Sequence, residues 1–350
     1  MDNNNSPSKA PEKKRSTATI LMILSIVIVI AAFFSMYPAF FAGAQKTAYI
    51  KIPRNATYEM LNDSLTKYEG KSYASHVMRF VRLRNTDLSR RTGAYEIRKG
   101  ESPFVSMRRL TSGGQTPIHL TINVTRSLQN LAERISTKVE ADQASIYAAL
   151  TDPEILAEYD LTPENAKALI FNDTYDLFWT DSPKQIMWKI GNVYSRRWNE
   201  ERRRKAKELG LTPAQVMTIC SIVDEETNAV AEKGRVGRVY INRYNSGKKL
   251  QSDPTVRYAL GDFSIRRVTA DHLKVDSPYN TYKYGGLPPG PIRTTSLETV
   301  DEVLNSVPTF DIYMCAREDF SGRHNFAVTY EEHLENARRY RKALDERGIH

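Results

Sequence analysis

Residues 212–227 read Thr212-Pro-Ala-Gln-Val-Met-Thr-Ile-Cys-Ser-Ile-Val-Asp-Glu-Glu-Thr227. Thr212 with Gln215 three places on is a capping box, and Pro213 takes the first helical position, so the stretch predicts a helix. Val216 to Val223 is an apolar run that reads as the buried face of that helix. Three acids follow directly: Asp224, Glu225 and Glu226. Acids at the end of a buried run are costly to hide, so at least one is expected to face a cleft. A carboxyl against an apolar wall keeps its proton to higher pH and is able to donate it near neutrality, as glycosidic bond cleavage requires. A solvated helix end bearing surface acids is the competing reading, and this segment alone leaves both open.

Working outward, Thr162-Pro163 and Ser182-Pro183 each open a helix in a mostly helical region, 126–210. The second of these carries Ile186, Met187, Ile190 and Val193 at helical spacing, and Met187 and Trp188 are expected in the core. Beyond the acids, a helix is expected from Ala229 to Tyr244, closed by Ser246-Gly247. Residues 248–296, rich in Gly, Pro, Tyr, Asn and Thr, read as a long functional loop. A strand at 312–316 and a charged helix at 330–347 close the chain. Nearer the start, strands are expected at 47–52, 93–100 and 118–124. Helices are expected at 57–67, 74–84 and 103–111, the last capped by Ser102 and stopped by Gly113-Gly114. The fold class is α+β.

A polar, basic segment, residues 1–17, precedes an apolar stretch at 18–41. Roughly 20 apolar residues suffice to cross a bilayer as a helix. Ala42-Gly43-Ala44 resembles a signal cleavage site, but the apolar core is longer than a cleavable signal has, so a retained single-pass anchor is expected. The basic flank places the N-terminus in the cytoplasm and the remainder outside it. A net charge of +9 suits an anionic partner. No nucleic-acid-binding motif accompanies it, and the densest basic run, residues 196–205, is interleaved with acids like a solvated helix face. Cys220 and Cys315 lie in core-like segments and are expected as buried free thiols. The six histidines form no metal-ligand pattern, so neither metal nor cofactor is expected.

The third region, 211–350, resembles the endolytic murein transglycosylases of the YceG-like family. The segments that carry the resemblance are Ser221-Ile-Val-Asp-Glu-Glu-Thr227, Val239-Tyr-Ile-Asn-Arg243, Leu250-Gln-Ser-Asp-Pro-Thr-Val256, Ser277-Pro-Tyr-Asn-Thr-Tyr282, Gly286-Leu-Pro-Pro-Gly-Pro-Ile292 and His324-Asn-Phe326. Residues 46–125 resemble the family's small LysM-like module through Gly93-x-Tyr-x-Ile-x-x-Gly100. Asp173-Thr174-Tyr175 is similar to a linker-region motif, with Asn172 where proline is usual. The resemblance implies a membrane-anchored lytic transglycosylase that cuts glycan strands of peptidoglycan within the chain, leaves 1,6-anhydro ends and terminates strand elongation. It implies Glu226 as the catalytic acid. Asp224 and Glu225 depart from the family's usual Glu and Lys, and a negative charge at 225 is expected either to favour the protonated form of Glu226, if the two lie close, or to face solvent without effect. Peptidoglycan synthases are the implied protein partners.

Thr227, Gln251, Asp253, Asn280, Thr281, Tyr282, Pro288 and Asn325 are the candidate substrate-binding residues, offering donors, acceptors, an aromatic face and a stiff wall. Each has a structural alternative as a turn or strand residue. Two other functions compete. A muramidase that uses water needs a second carboxylate, with Asp224, Glu225 or Asp253 as candidates. A noncatalytic peptidoglycan-binding scaffold needs no acid at all, and Glu226 is present.

Overall fold

A computed structural model describes residues 12–348, and side chains from residue 17 onward. Residues 1–11 of the proposed cytoplasmic tail lie outside the described residues. The protein is mixed α+β, and its described residues divide into two compact units, those up to 117 with 178–180, and 118–177 with those from 181 onward.

The first unit opens with helix α1 (Glu12–Phe41), which contains Pro38. Residues Thr17–Phe41 are apolar and their most apolar stretch is wholly unburied, so the helix is long and apolar enough to cross a membrane. Its end packs on the unit's own core: the Phe40 ring lies 5.0 Å from Phe104 and 6.1 Å from Phe80. Strand β1 (Ala48–Ile52) is followed by α2 (Tyr58–Glu69), α3 (Lys71–Leu83), strand β2 (Gly93–Ile97) and α4 (Pro103–Ser112). β1 and β2 pair antiparallel, with Ala48 opposite Ile97. Alternation puts Ile50, Ile52, Tyr95 and Ile97 in the core with Leu61, Leu65, Val77, Val81 and Leu110. The capping signals of α4 work as expected, since Ser102 caps it and Gly113 ends it at φ 80°; Thr57 lies just before α2, where its hydroxyl accepts from Met60 N.

The second unit runs β3 (Ile118–Thr121), α5 (Leu128–Ser136), α6 (Gln143–Leu150), α7 (Pro153–Ala157), a 3-10 turn (Pro163–Leu169), β4 (Thr174–Leu177), α8 (Pro183–Arg197) and α9 (Glu200–Glu208). Then come α10 (Pro213–Glu226), α11 (Val230–Asn245), α12 (Asp253–Leu260), α13 (Leu297–Leu304), β5 (Tyr313–Ala316), β6 (His324–Ala327) and α14 (Tyr330–Glu346). β3 pairs antiparallel with β4, and β5 with β6. α10 sits at the centre of one continuous core that reaches from Leu120 to Leu304. All eight residues Val216–Val223 are buried, because α9, α11, α12, α13 and the 3-10 turn Pro163–Leu169 all pack against the helix. α11 approaches α13 closely: a Cβ on Gly237 would lie 2.7 Å from a Val303 methyl.

Three sequence expectations change. The 248–296 stretch is not one loop, for Asp253–Leu260 is helical with proline in its first turn. Trp188 is 61% exposed while its neighbour Met187 is buried, since consecutive helical residues point about 100° apart. Both thiols are free, but only Cys220 is fully buried, and Cys315 is half-buried.

Candidate active site

Glu226 is the last residue of α10. Thr227 turns the chain into extended backbone there. Its N–H donates to the Val223 carbonyl and its hydroxyl accepts from Ala229 N at 3.0 Å. Two hydroxyls converge on the Glu226 carboxyl: Tyr240 of α11 donates to Oε1 at 2.6 Å and Ser252 at 3.1 Å. No described protein group bonds Oε2.

Burial pushes the Glu226 carboxyl above its ordinary pKa of 4.5. The Tyr240 and Ser252 bonds and the charge of His324 pull against this, and the negative charge of Asp253 adds to it. Glu225 is not among the main causes of the shift. It is drawn away by Arg126 at 2.5 Å and Arg293 at 3.1 Å. Asp224 is likewise ion-paired, with Lys233 at 2.8 Å, and accepts from the hydroxyls of Thr295 and Thr299.

Glu226 opens on a cleft of about 390 Å³. Tyr240, Arg243, Gln251, Asp253, Tyr282, Tyr313, Cys315, His324 and His333 line it. Tyr282 donates to Asp253 Oδ1 at 2.6 Å, and Arg243 donates to the side chain of Gln251. Gln251 has φ +52°, a left-handed conformation that an L side chain rarely adopts. The turn at 280–282 holds it there: Gln251 N donates to the Thr281 carbonyl, and Ser252 N to the Thr281 hydroxyl. His324, at the start of β6, is fixed by its N–H to Glu232. His333 stacks on Tyr313 with ring centroids 5.2 Å apart, and burial lowers its pKa.

Of the residues picked from sequence, Glu226, Gln251, Asp253 and Tyr282 meet in this cleft. Asn280 and Thr281 are fully buried. The Asn280 amide donates to the carbonyls of Leu273 and Val275, and Thr281 bonds Ser252 N and the Thr255 hydroxyl. Pro288 lines a different hollow, with Tyr159 and Tyr244, and Asn325 donates to Glu318. Sequence reasoning missed Tyr240, Arg243, Ser252, Tyr313, His324 and His333. Tyr240, Arg243, Ser252 and His324 stood inside the quoted motifs, Ser252 and His324 directly beside residues that were chosen instead. Among the described residues no cluster of three His, Cys, Asp or Glu side chains is arranged to hold a metal.

The model of the YceG-like family matches residues 50–339. The chain is 24% identical over 319 residues to the endolytic murein transglycosylase of Bacillus subtilis (strain 168), covering 87% of this chain and 88% of that protein. It is 22% identical over 326 residues to the endolytic murein transglycosylase of Streptococcus pneumoniae serotype 2, covering 84% of this chain and 58% of that one. A crystal structure of a YceG-like protein from Listeria monocytogenes superposes with a TM-score of 0.53 at 26% identity, over 83% of this chain and 98% of that one.

Proposed function

This chain belongs to the YceG-like family, and from that premise we propose that it is an endolytic peptidoglycan lytic transglycosylase with Glu226 as its acid and base. The observation that carries the reading is the setting of Glu226: a raised pKa, two hydroxyls on Oε1, and Oε2 left for a proton that faces the cleft. The proton passes from Glu226 to the oxygen between N-acetylmuramic acid and N-acetylglucosamine as the glycosidic bond breaks. The 6-hydroxyl of the muramic acid residue then bonds to its own anomeric carbon and returns a proton to the carboxylate. The product is a 1,6-anhydro end, and no water is consumed. One carboxyl suffices, which agrees with the engagement of Asp224 and Glu225 in ion pairs.

In this reading Gln251, Asp253, Tyr282 and the newly placed Arg243, Tyr313 and His324 contact sugars. Asn280 and Thr281 position residues 251–252, and Thr227 ends the helix. The apolar helix α1 supports a single-pass anchor with the rest of the chain extracytoplasmic. The order β1–α2–α3–β2 supports reading residues 46–125 as a LysM-like module that holds glycan. Termination of strand elongation beside peptidoglycan synthases follows from cleavage at the membrane surface.

Asp253 favours a second reading, a water-using muramidase, because a second carboxylate lines the same cleft. Mass analysis of glycan strands digested by the protein decides between them. Anhydro ends that persist in Asp253→Asn support the transglycosylase. Reducing ends that vanish in Asp253→Asn overturn it.

A further inference from the structure

Lys167 is a buried charged group that the Glu226 cleft does not use. It lies on the 3-10 turn Pro163–Leu169 and is only 5% exposed. Its Nζ donates to the Arg126 carbonyl at 3.2 Å and to the Tyr258 hydroxyl at 2.5 Å. Nζ also lies 4.2 Å from the Tyr258 ring centroid, but an ammonium has three hydrogens and only two oxygen acceptors are present. Among the described residues no carboxylate lies within ion-pair distance of it. Burial alone pushes its pKa down to about 7. A buried cation without a counter-ion is costly, and a ligand that carries a negative charge relieves the cost.

The space in front of Lys167 has the dimensions and lining of a binding site. It is a hollow of about 690 Å³. Tyr258 and Tyr279 form one wall, with ring centroids 4.7 Å apart. Phe263 stands opposite the Arg126 guanidinium, 4.4 Å from its ring centroid. Arg126 also reaches Glu225, which ties the rim of the hollow to the residue beside Glu226. Glu164 is the acid at the rim, and it is exposed. One buried amine with one phenol matches a carboxylate. Phosphate sites present arrays of N–H groups or several arginines, whereas the one arginine here, Arg126, is already paired with Glu225. The aromatic walls need an aliphatic body, which a small inorganic anion lacks.

We propose that this hollow takes the terminal carboxylate of a peptide stem on the glycan strand, with Lys167 as its counter-ion and Tyr258, Tyr279 and Phe263 against the peptide's aliphatic part. The identity of the peptide as part of the substrate rests on the transglycosylase reading, and the carboxylate pocket does not.

The test is calorimetric titration of the full chain in detergent with N-acetyl-D-alanyl-D-alanine, and with the same dipeptide amidated at its C-terminus. The acid is expected to bind at least tenfold more tightly than the amide. Lys167→Met is expected to erase that difference with its melting temperature unchanged or raised, since an uncompensated buried charge is removed. Phe263→Ala, at the exposed rim, is expected to weaken both ligands severalfold, and it decides the matter if Lys167→Met does not fold. Equal binding of acid and amide, acid binding unchanged in Lys167→Met or in Phe263→Ala, or competition by acetate as effective as by the dipeptide, each overturns the proposal. On strands, Lys167→Met is expected to raise KM for peptide-bearing glycan and leave KM for peptide-free glycan unchanged, and equal effects on both overturn the link to substrate. If the wild type cuts neither strand, the transglycosylase reading fails while the titrations still decide the pocket.

Discussion

Asp224 and Glu226 stand two residues apart on α10, and their carboxyl groups end in opposite settings. Two helical positions are about 200° apart, so a helix packed against several elements sends the two acids to different neighbours. Asp224 meets the ammonium of Lys233 and two threonine hydroxyls, and its side chain is 6% exposed. Glu225 meets two guanidinium groups. Glu226 meets two hydroxyls and an open cleft. A buried acid surrounded by cations belongs to the fold, because losing either partner strands a charge. A partly buried acid held by two hydroxyls and no cation has its burial opposed only in part, and it is able to take up and release a proton. On the proposed reading, one helix end thus makes a structural side and a chemical side from chemically similar residues.

The comparison breaks first at Glu226. Glu226→Gln keeps the shape and the bonds from Tyr240 and Ser252 but carries no proton to give. Strand cleavage is expected to fall by about a hundredfold to ten-thousandfold, with the melting temperature held, since the amide leaves no charge to desolvate. Digestion kinetics and a thermal melt on the same preparation check both halves. A stable Glu226→Gln protein that cuts within about threefold of wild type removes Glu226 from the chemistry.

On the other side the expected loss is stability. Lys233→Met leaves Asp224 buried without its cation, and breaking such a pair costs about 3–5 kcal/mol. Denaturant unfolding measures it. The fraction that remains folded is expected to cut strands at close to the wild-type rate. A loss of cleavage with stability intact would move Asp224 to the chemical side and end the distinction.

What was legible in the sequence follows the same division between local and distant causes. Thr212 and Gln215, Ser102 with Pro103, and Gly113 are local signals, and each sets a helix end where expected. The placement of Glu226 at the end of a buried helix was equally local. The rest of the cleft is not, since it is assembled from α11, the start of α12, the 282 turn and the β5–β6 pair. Asn280 and Thr281 look like substrate ligands in a polar loop, yet their polar atoms are spent on Leu273, Val275 and Ser252. Tyr240 looks like a core residue of α11, and it is one, except that its hydroxyl ends on Glu226. A residue that is buried and also reaches the site carries no sign of it in a helical pattern.

That double role makes Tyr240 the finest test of the comparison. Its hydrogen bond favours the charged form of Glu226 and so holds the pKa below where burial alone would put it. Removing it in Tyr240→Phe raises the pKa further, and the acid stays protonated to higher pH. The alkaline limb of kcat/KM is therefore expected to move upward, with less than about a tenfold change at the plateau, since Ser252 still holds Oε1 and the net worth of one such bond is about 1 kcal/mol. The stability profile carries the same sign. A carboxyl whose folded pKa is raised contributes stability below its ordinary value of 4.5, and that contribution is lost as pH rises through the raised value. In Tyr240→Phe the loss is expected to extend to higher pH than in wild type. Rate–pH profiles of both proteins, with melts at matched pH, measure the two shifts. A limb that moves to lower pH, or a Tyr240→Phe profile superimposable on that of Tyr282→Phe, means that Tyr240 acts through packing alone and that the hydroxyl setting of Glu226 does not govern its proton.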